Sequence, residues 1–297
     1  MKSGIIVIKK EQGLTSQAVV NRVKRIFSEK KAGHTGTLDP MATGVLPVLL
    51  GRAVKASEYM LSSDKYYRAT LLLGVTTDTE DITGNILTEN DNIPTEEEVL
   101  EKIKTFVGAL TQTPPMYSAL KVDGEKLCNL ARRGITVERE AREITVHSIE
   151  ANKISERSYS LTVHCSKGTY IRTLCADIGA ALGCGGVMQS LERYKASVFS
   201  LDDAYTLSQL EEMSEGEREK KILPVEKVFE NLEKAELSPF FERLARSGQE
   251  IYLSKIQKNF SLGARVTLWG ENGFFALGEV KKFDTGLAIK PIKQFDL

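Results

Sequence analysis

Long apolar runs are missing from this 297-residue chain. Nothing approaches the stretch of about 18 apolar residues that a membrane-spanning helix needs, so no span is predicted. The opening MKSGIIVIKKEQG holds only the short run IIVI before charge returns, too little for a secretory signal, and the expected location is the cytoplasm. Cysteine and histidine are scarce too. Cys128, Cys165, Cys175 and Cys184 form no Cys-x-x-Cys pair, and only His34, His147 and His164 could join them as ligands. That spacing argues against a zinc ribbon or finger and predicts thiols packed in a core. No Walker loop occurs, which removes the usual cradle for a nucleotide phosphate.

Net charge is absent as well, with 40 basic and 40 acidic side chains. Taken whole, that balance speaks against a nucleic-acid partner. The distribution does not. Residues 1–70 carry 12 basic and 5 acidic groups (+7), and residues 71–120 carry 2 and 9 (−7). Residues 121–195 carry 12 and 9 (+3), and residues 196–297 carry 14 and 17 (−3). A chain that segregates charge this way can present a basic cleft while remaining neutral overall.

What is present reads as strands and helices without a regular βαβ period. SGIIVIKKEQG predicts a short buried strand and a turn. TSQAVVNRVKRIFSE predicts a helix, with Val19, Val20, Val23, Ile26 and Phe27 on one face and Arg22, Lys24 and Arg25 on the other. KYYRATLLLGVTTDTED alternates as a strand does, and Thr95 with Glu98 forms a capping box for a helix after an acidic loop. Two more alternating strands, REITVHSIEANKI and SYSLTVHC, precede a glycine turn and a helix. The predicted fold class is α+β, a mixed and largely antiparallel sheet flanked by helices. Residues 208–236 read as a charge-dense helical connector, and short strands with glycine turns follow. The expected division is a domain over residues 1–230, with an inserted segment near 115–145, and a small β domain over residues 238–297.

The loop GHTGTLDPMATGVLP, residues 33–47, places a lone carboxylate, Asp39, before a proline and among glycines. Proline keeps Asp39 out of helical geometry, and glycine allows a ligand close to the backbone. A simple Asx turn explains the pattern equally well. A second stretch, CSKGTYIRTLCADIG, surrounds Arg172 with Tyr, Ile, Thr and Leu. A guanidinium buried in such company needs a carboxylate, and Asp39 is available. That pairing is expected to keep Asp39 ionised, as a nucleophile or base requires. KYYR sets two aromatics between basic residues, which suits stacking on bases beside phosphates, or simply a strand with Tyr alternately buried.

Four blocks in order, GHTGTLDPMATGVLPVLLGRAVK, KYYRATLLLGVTTDTEDITG, PPMYSALKVDGEKLCNLARRG and CSKGTYIRTLCADIG, resemble the tRNA pseudouridine-55 synthases of the TruB type. The end of the chain resembles the small PUA-like RNA-binding domain of bacterial members. The resemblance implies that Asp39 is the essential aspartate and that His34 helps hold an extruded nucleotide. It implies that Tyr67 stacks on the uracil, that Arg172 pairs with Asp39, and that Lys55 and Leu191 line the pocket. Asp81 and Tyr170 take supporting places. The implied reaction isomerises uridine 55 in the TΨC stem-loop of tRNA and needs no cofactor and no metal. No membrane or protein partner is expected, and the chain is read as a monomer. Val54 departs from the threonine expected before the lysine, and Ala196-Ser197 from a frequent glycine. Among rivals, a nucleotidyl transferase would need a second histidine where Thr37 stands. A glycosidase could draw on Asp78 and Asp81. A non-catalytic RNA-binding protein would not depend on Asp39.

Overall fold

The computed structural model describes residues 2–122 and 124–295. Its largest element is a nine-stranded sheet built from β1 (Gly4–Lys10), β2 (Ala32–His34), β3 (Thr43–Leu50), β4 (Lys65–Leu73), β5 (Gly108–Gln112), β6 (Arg142–Lys153), β7 (Ser158–Cys165), β8 (Gly186–Ala196) and β9 (Phe199–Ser200). The path runs β1-β3-β8-β4-β7-β6-β5, with β2 on β3 and β9 on β8. Every contact is antiparallel except β3 with β8, which are parallel over Thr43↔Glu192 and Gly44↔Arg193. Gly44 is required there. Its φ is 104°, and a Cβ would lie 2.2 Å from the carbonyl oxygen of Arg193.

β1 is apolar on both faces because both are covered. Ile6 and Ile8 face a core shared with α1 (Ser16–Ile26), α2 (Glu96–Lys104) and, after the short α3 (Leu127–Arg132), with α4 (Ile171–Ala181). Thr15 caps α1, and Thr95 with Glu98 forms the expected capping box of α2. α4 lies close on the sheet. A Cβ on Gly179 would come within 2.1 Å of the Gly186 nitrogen, so the helix and β8 touch through two glycines. Its first five residues, Ile171 to Cys175, are all buried.

Ile5 and Val7 point the other way, into a core with Val45, Leu49, Phe229, Phe274, Leu277 and Phe295. Phe274, Leu277 and Phe295 come from a second sheet of β10 (Glu233–Glu236), β11 (Ile251–Tyr252), β12 (Arg265–Gly270), β13 (Gly273–Phe283) and β14 (Gly286–Gln294), ordered β10-β12-β13-β14-β11 and covered by α5 (Pro239–Arg246). β10 pairs in parallel with β12, so the strands of this sheet begin at Glu233. The charge-dense stretch is not one helix. It breaks into helices Leu207–Glu212 and Glu215–Glu219 and a 3-10 turn Val225–Phe229. Pro224 interrupts it, and Val225 and Phe229 are drawn into the core between the sheets. No helix among the described residues is long and apolar enough to cross a membrane.

Candidate active site

The loop that carries Asp39 is tied down at both ends. Ser16, in the first turn of α1, accepts from Leu38 N at 2.8 Å and donates to Leu38 O at 3.0 Å through its hydroxyl. Lys10, buried at the end of β1, donates to the carbonyls of Pro40 (3.3 Å) and Ala42 (2.6 Å). Gly13 N reaches Pro40 O, and Ala42 N closes a turn on Asp39 O. The glycines and proline therefore serve a rigid bend held by α1 and β1, and not a mobile one.

From that bend the Asp39 carboxylate meets Arg172, with Oδ2 3.0 Å from Nε. Arg172 stands at the start of α4 and is 5% exposed. It also donates to Thr79 O at 3.1 Å and Tyr117 O at 2.7 Å, and its Nη1 lies 3.7 Å from Asp81 Oδ2. One guanidinium thus joins the loops around residues 39, 79–81 and 117. The pairing expected from the sequence is present, and it works against the cost of burial. Burial pushes the Asp39 carboxyl above its ordinary range and Asp81 adds to the rise, while Arg172 and Lys10 oppose it only in part. Asp39 is a carboxylate held against desolvation.

Asp39 and Arg172 stand where two cavities meet. The smaller, about 340 Å³, is walled by Tyr67, Leu191, Ile171 and Tyr170, with Lys65 and Arg193 at its polar side. Strand alternation explains this set. Lys65, Tyr67 and Ala69 share the buried face of β4, and Tyr67 sits directly across from Arg193 of β8. Arg193, 1% exposed, donates to Val45 O at 2.9 Å and Gly36 O at 3.1 Å. Lys65 donates to the carbonyls of Met60, Leu61 and Ser63. Burial lowers both Lys65 and Lys10 to about 8. The larger cleft, about 1090 Å³, is lined by His34, Lys121, Lys126 and Arg132 among others.

The sequence-predicted residues therefore divide. Asp39, Tyr67, Tyr170, Arg172 and Leu191 line the smaller cavity, and His34 and Asp81 line the larger cleft. His34 Nδ1 is buried with no hydrogen-bond partner among the described residues, and burial lowers the ring's pKa. Asp81 is buried, and its Oδ1 accepts from Thr79 and from Thr83. Lys55 does not join them. It is exposed on the 3-10 turn Gly51–Ala56 and lines neither cavity. The eight residues of β3 separate that turn from the Asp39 bend by about 23 Å at the usual rise. Lys65 is the lysine of the pocket.

Arg193 and Lys10 escaped the sequence reading, and Lys65 entered it only as a cation beside the KYYR aromatics. Arg193 shares an alternation with Leu191, and Lys65 with Tyr67, so the period of two held a signal for both. Lys10, at a strand end, gave none. Surface cations are also engaged: Arg22, from the outer face of the first helix, with Glu211, Arg68 of KYYR with Glu192, and Arg133 with Glu125.

The family model for the N-terminal domain of TruB family pseudouridylate synthases matches residues 24–171, and that for the C-terminal domain of tRNA pseudouridylate synthase B matches residues 172–230. The tRNA pseudouridine synthase B of Clostridium tetani is 43% identical over 281 residues, covering 94% of this chain and 96% of that protein. Its namesake from Methylobacillus flagellatus is 39% identical, covering 93% and 90%. The crystal structure of a Cbf5-Nop10-Gar1 complex superposes with a TM-score of 0.76 at 28% identity, over 99% of this chain and 85% of that one. With its mixed sheet and the blocks around Asp39 and Arg172, this chain belongs to the TruB family of pseudouridylate synthases.

Proposed function

We infer that this enzyme converts uridine 55 of the tRNA TΨC loop to pseudouridine, with Asp39 as the reacting group. The uridine leaves its stack and enters the smaller cavity, where Tyr67 offers a face to the uracil and Leu191 and Ile171 complete an apolar slot. The N1–C1′ bond breaks, the base turns, and a C5–C1′ bond forms, with the C5 proton passing to solvent and N1 taking up a proton in its place. Asp39 attacks C1′, removes the C2′ proton or adds to C6 of the base, and each route needs it ionised. His34 lines the larger cleft, where its ring meets the nucleotide. Lys121, Lys126 and Arg132 line that cleft and suit the stem phosphates. The C-terminal sheet adds a further RNA contact.

One observation carries this reading: a desolvated carboxylate at the junction of an aromatic slot and a basic cleft, paired to a buried arginine. The test is tritium release from C5-labelled uridine in a tRNA transcript. Release by the parent chain, its absence from a transcript with cytidine at position 55, and its loss in Asp39→Asn with tRNA binding kept are the expected results. No release by the parent chain across salt and substrate concentrations would remove the reading, and undiminished release by Asp39→Asn would remove Asp39 from it.

A further inference from the structure

β4 has a second face. Asp64, one residue before the strand, meets His147 of β6 and His164 of β7 there. Both histidines reach the same carboxylate oxygen, His164 Nε2 at 3.0 Å and His147 Nε2 at 3.3 Å from Asp64 Oδ2. One donor atom from each of the three lies within 4.8 Å of the other two. None of the three lines the cavities around Asp39.

The fold builds this cluster through a local irregularity. Pairing between β6 and β7 steps from Val146↔Cys165 to Ser148↔His164, which leaves His147 as the extra residue of a bulge. A bulge re-aims a side chain. Here His147 comes beside His164, with ring centroids 4.4 Å apart. Tyr66 lies flat on His164, at 4.1 Å and 10°, and fixes the plane of that ring. Lys195 sits over Tyr66 at 5.0 Å.

Two imidazole nitrogens and one carboxylate oxygen are donors that suit zinc, cobalt, nickel or copper, whereas magnesium and calcium prefer oxygen alone. Bonds of about 2.0–2.2 Å in a tetrahedral site put neighbouring donors about 3.4 Å apart. The two nitrogen–oxygen spacings, 3.0 and 3.3 Å, fall just short of that and need only a small opening to admit the ion. Side-chain exposures of 38% for His147, 28% for His164 and 43% for Asp64 leave an entry path and a coordination position for water. We propose that Asp64, His147 and His164 form a binding site for one divalent transition-metal ion of the zinc type, on the sheet face opposite the Asp39 cavity. The bound ion ties together β6, β7 and the residue that leads into β4. Those residues are distant in the unfolded chain, so the ion stabilises the folded state by mass action.

The test uses the full-length, untagged protein, stripped with a chelator and titrated with zinc while imidazole nitrogen resonances are followed. The chain has three histidines, which single variants assign. Saturable one-to-one binding with shifts at His147 and His164 and none at His34 is the expected result. His147→Ala and His164→Ala should each weaken binding by more than about tenfold, since even supporting partners of metal ligands cost that much. Asp64→Asn, which keeps the side-chain shape, should weaken it too, and the melting temperature of the parent alone should rise with zinc. No saturable response up to millimolar zinc, shifts confined to His34, or undiminished binding by the His147→Ala/His164→Ala double variant (as with a thiol ligand such as Cys128) would each overturn the site.

Discussion

Fourteen polar or charged residues are buried among the described ones; twelve lie at or before residue 193, and two, Glu242 and Thr267, lie in the C-terminal sheet unit. Lys10, Lys65, Asp81, Arg172 and Arg193 crowd the first region around Asp39, whereas the second packs Phe275, Val266, Leu268, Val280 and Ile289 in an ordinary apolar core. Burying charge costs free energy that apolar packing does not. A fold that accepts the cost in one region and avoids it in another distinguishes its site from its scaffold.

That contrast can be broken most severely at Asp39. Asp39→Asn should lower turnover by about 10²–10⁴-fold, the usual worth of a base or nucleophile, in a single-turnover assay. It should not unfold the protein. Asp39 is about a third exposed and Asp81 still faces Arg172, so the amide is tolerated in a denaturant melt.

Arg172→Met comes next. It leaves Asp39 and Asp81 without their buried cation and should cost about 3–5 kcal/mol of stability, read by urea titration. The sign of its pH effect is fixed. With Asp39 acting as the proposed base or nucleophile, kcat/KM should fall as pH drops through the raised carboxyl pKa. Removing the arginine removes a lowering influence, and the acid limb moves to higher pH. Tyr67→Leu should follow, weakening kcat/KM by about 1–3 kcal/mol through lost stacking. In the other region, Phe274→Ala should cost about 3–5 kcal/mol of stability yet leave kcat of the folded enzyme unchanged. The smallest effect belongs to Lys55→Ala, which should change neither melting nor turnover measurably.

Much of this was legible in the chain. The α1 stripe, the Thr95 cap and the alternation of KYYRATLLL follow from local chemistry, and an arginine set among apolar neighbours calls for a carboxylate from composition alone. What stayed hidden depends on placement through the sheet. The length of β3 carries Lys55 away, and no local pattern encodes that distance. Asp64, His147 and His164 meet only because three chain segments converge and one bulges. The strand at Glu233–Glu236 looked helical because its surroundings are rich in charge, but pairing with β12 overrides that preference.

The parallel seam at Gly44 has a wider meaning. The acidic bend hangs from one side of it, and the aromatic strand lies on the other, across Arg193. Their separation is set by a position with no side chain, where any β-carbon would collide with the neighbouring backbone. The distance from the acid to the aromatic wall of the cavity is thus decided by a residue that lines neither cavity.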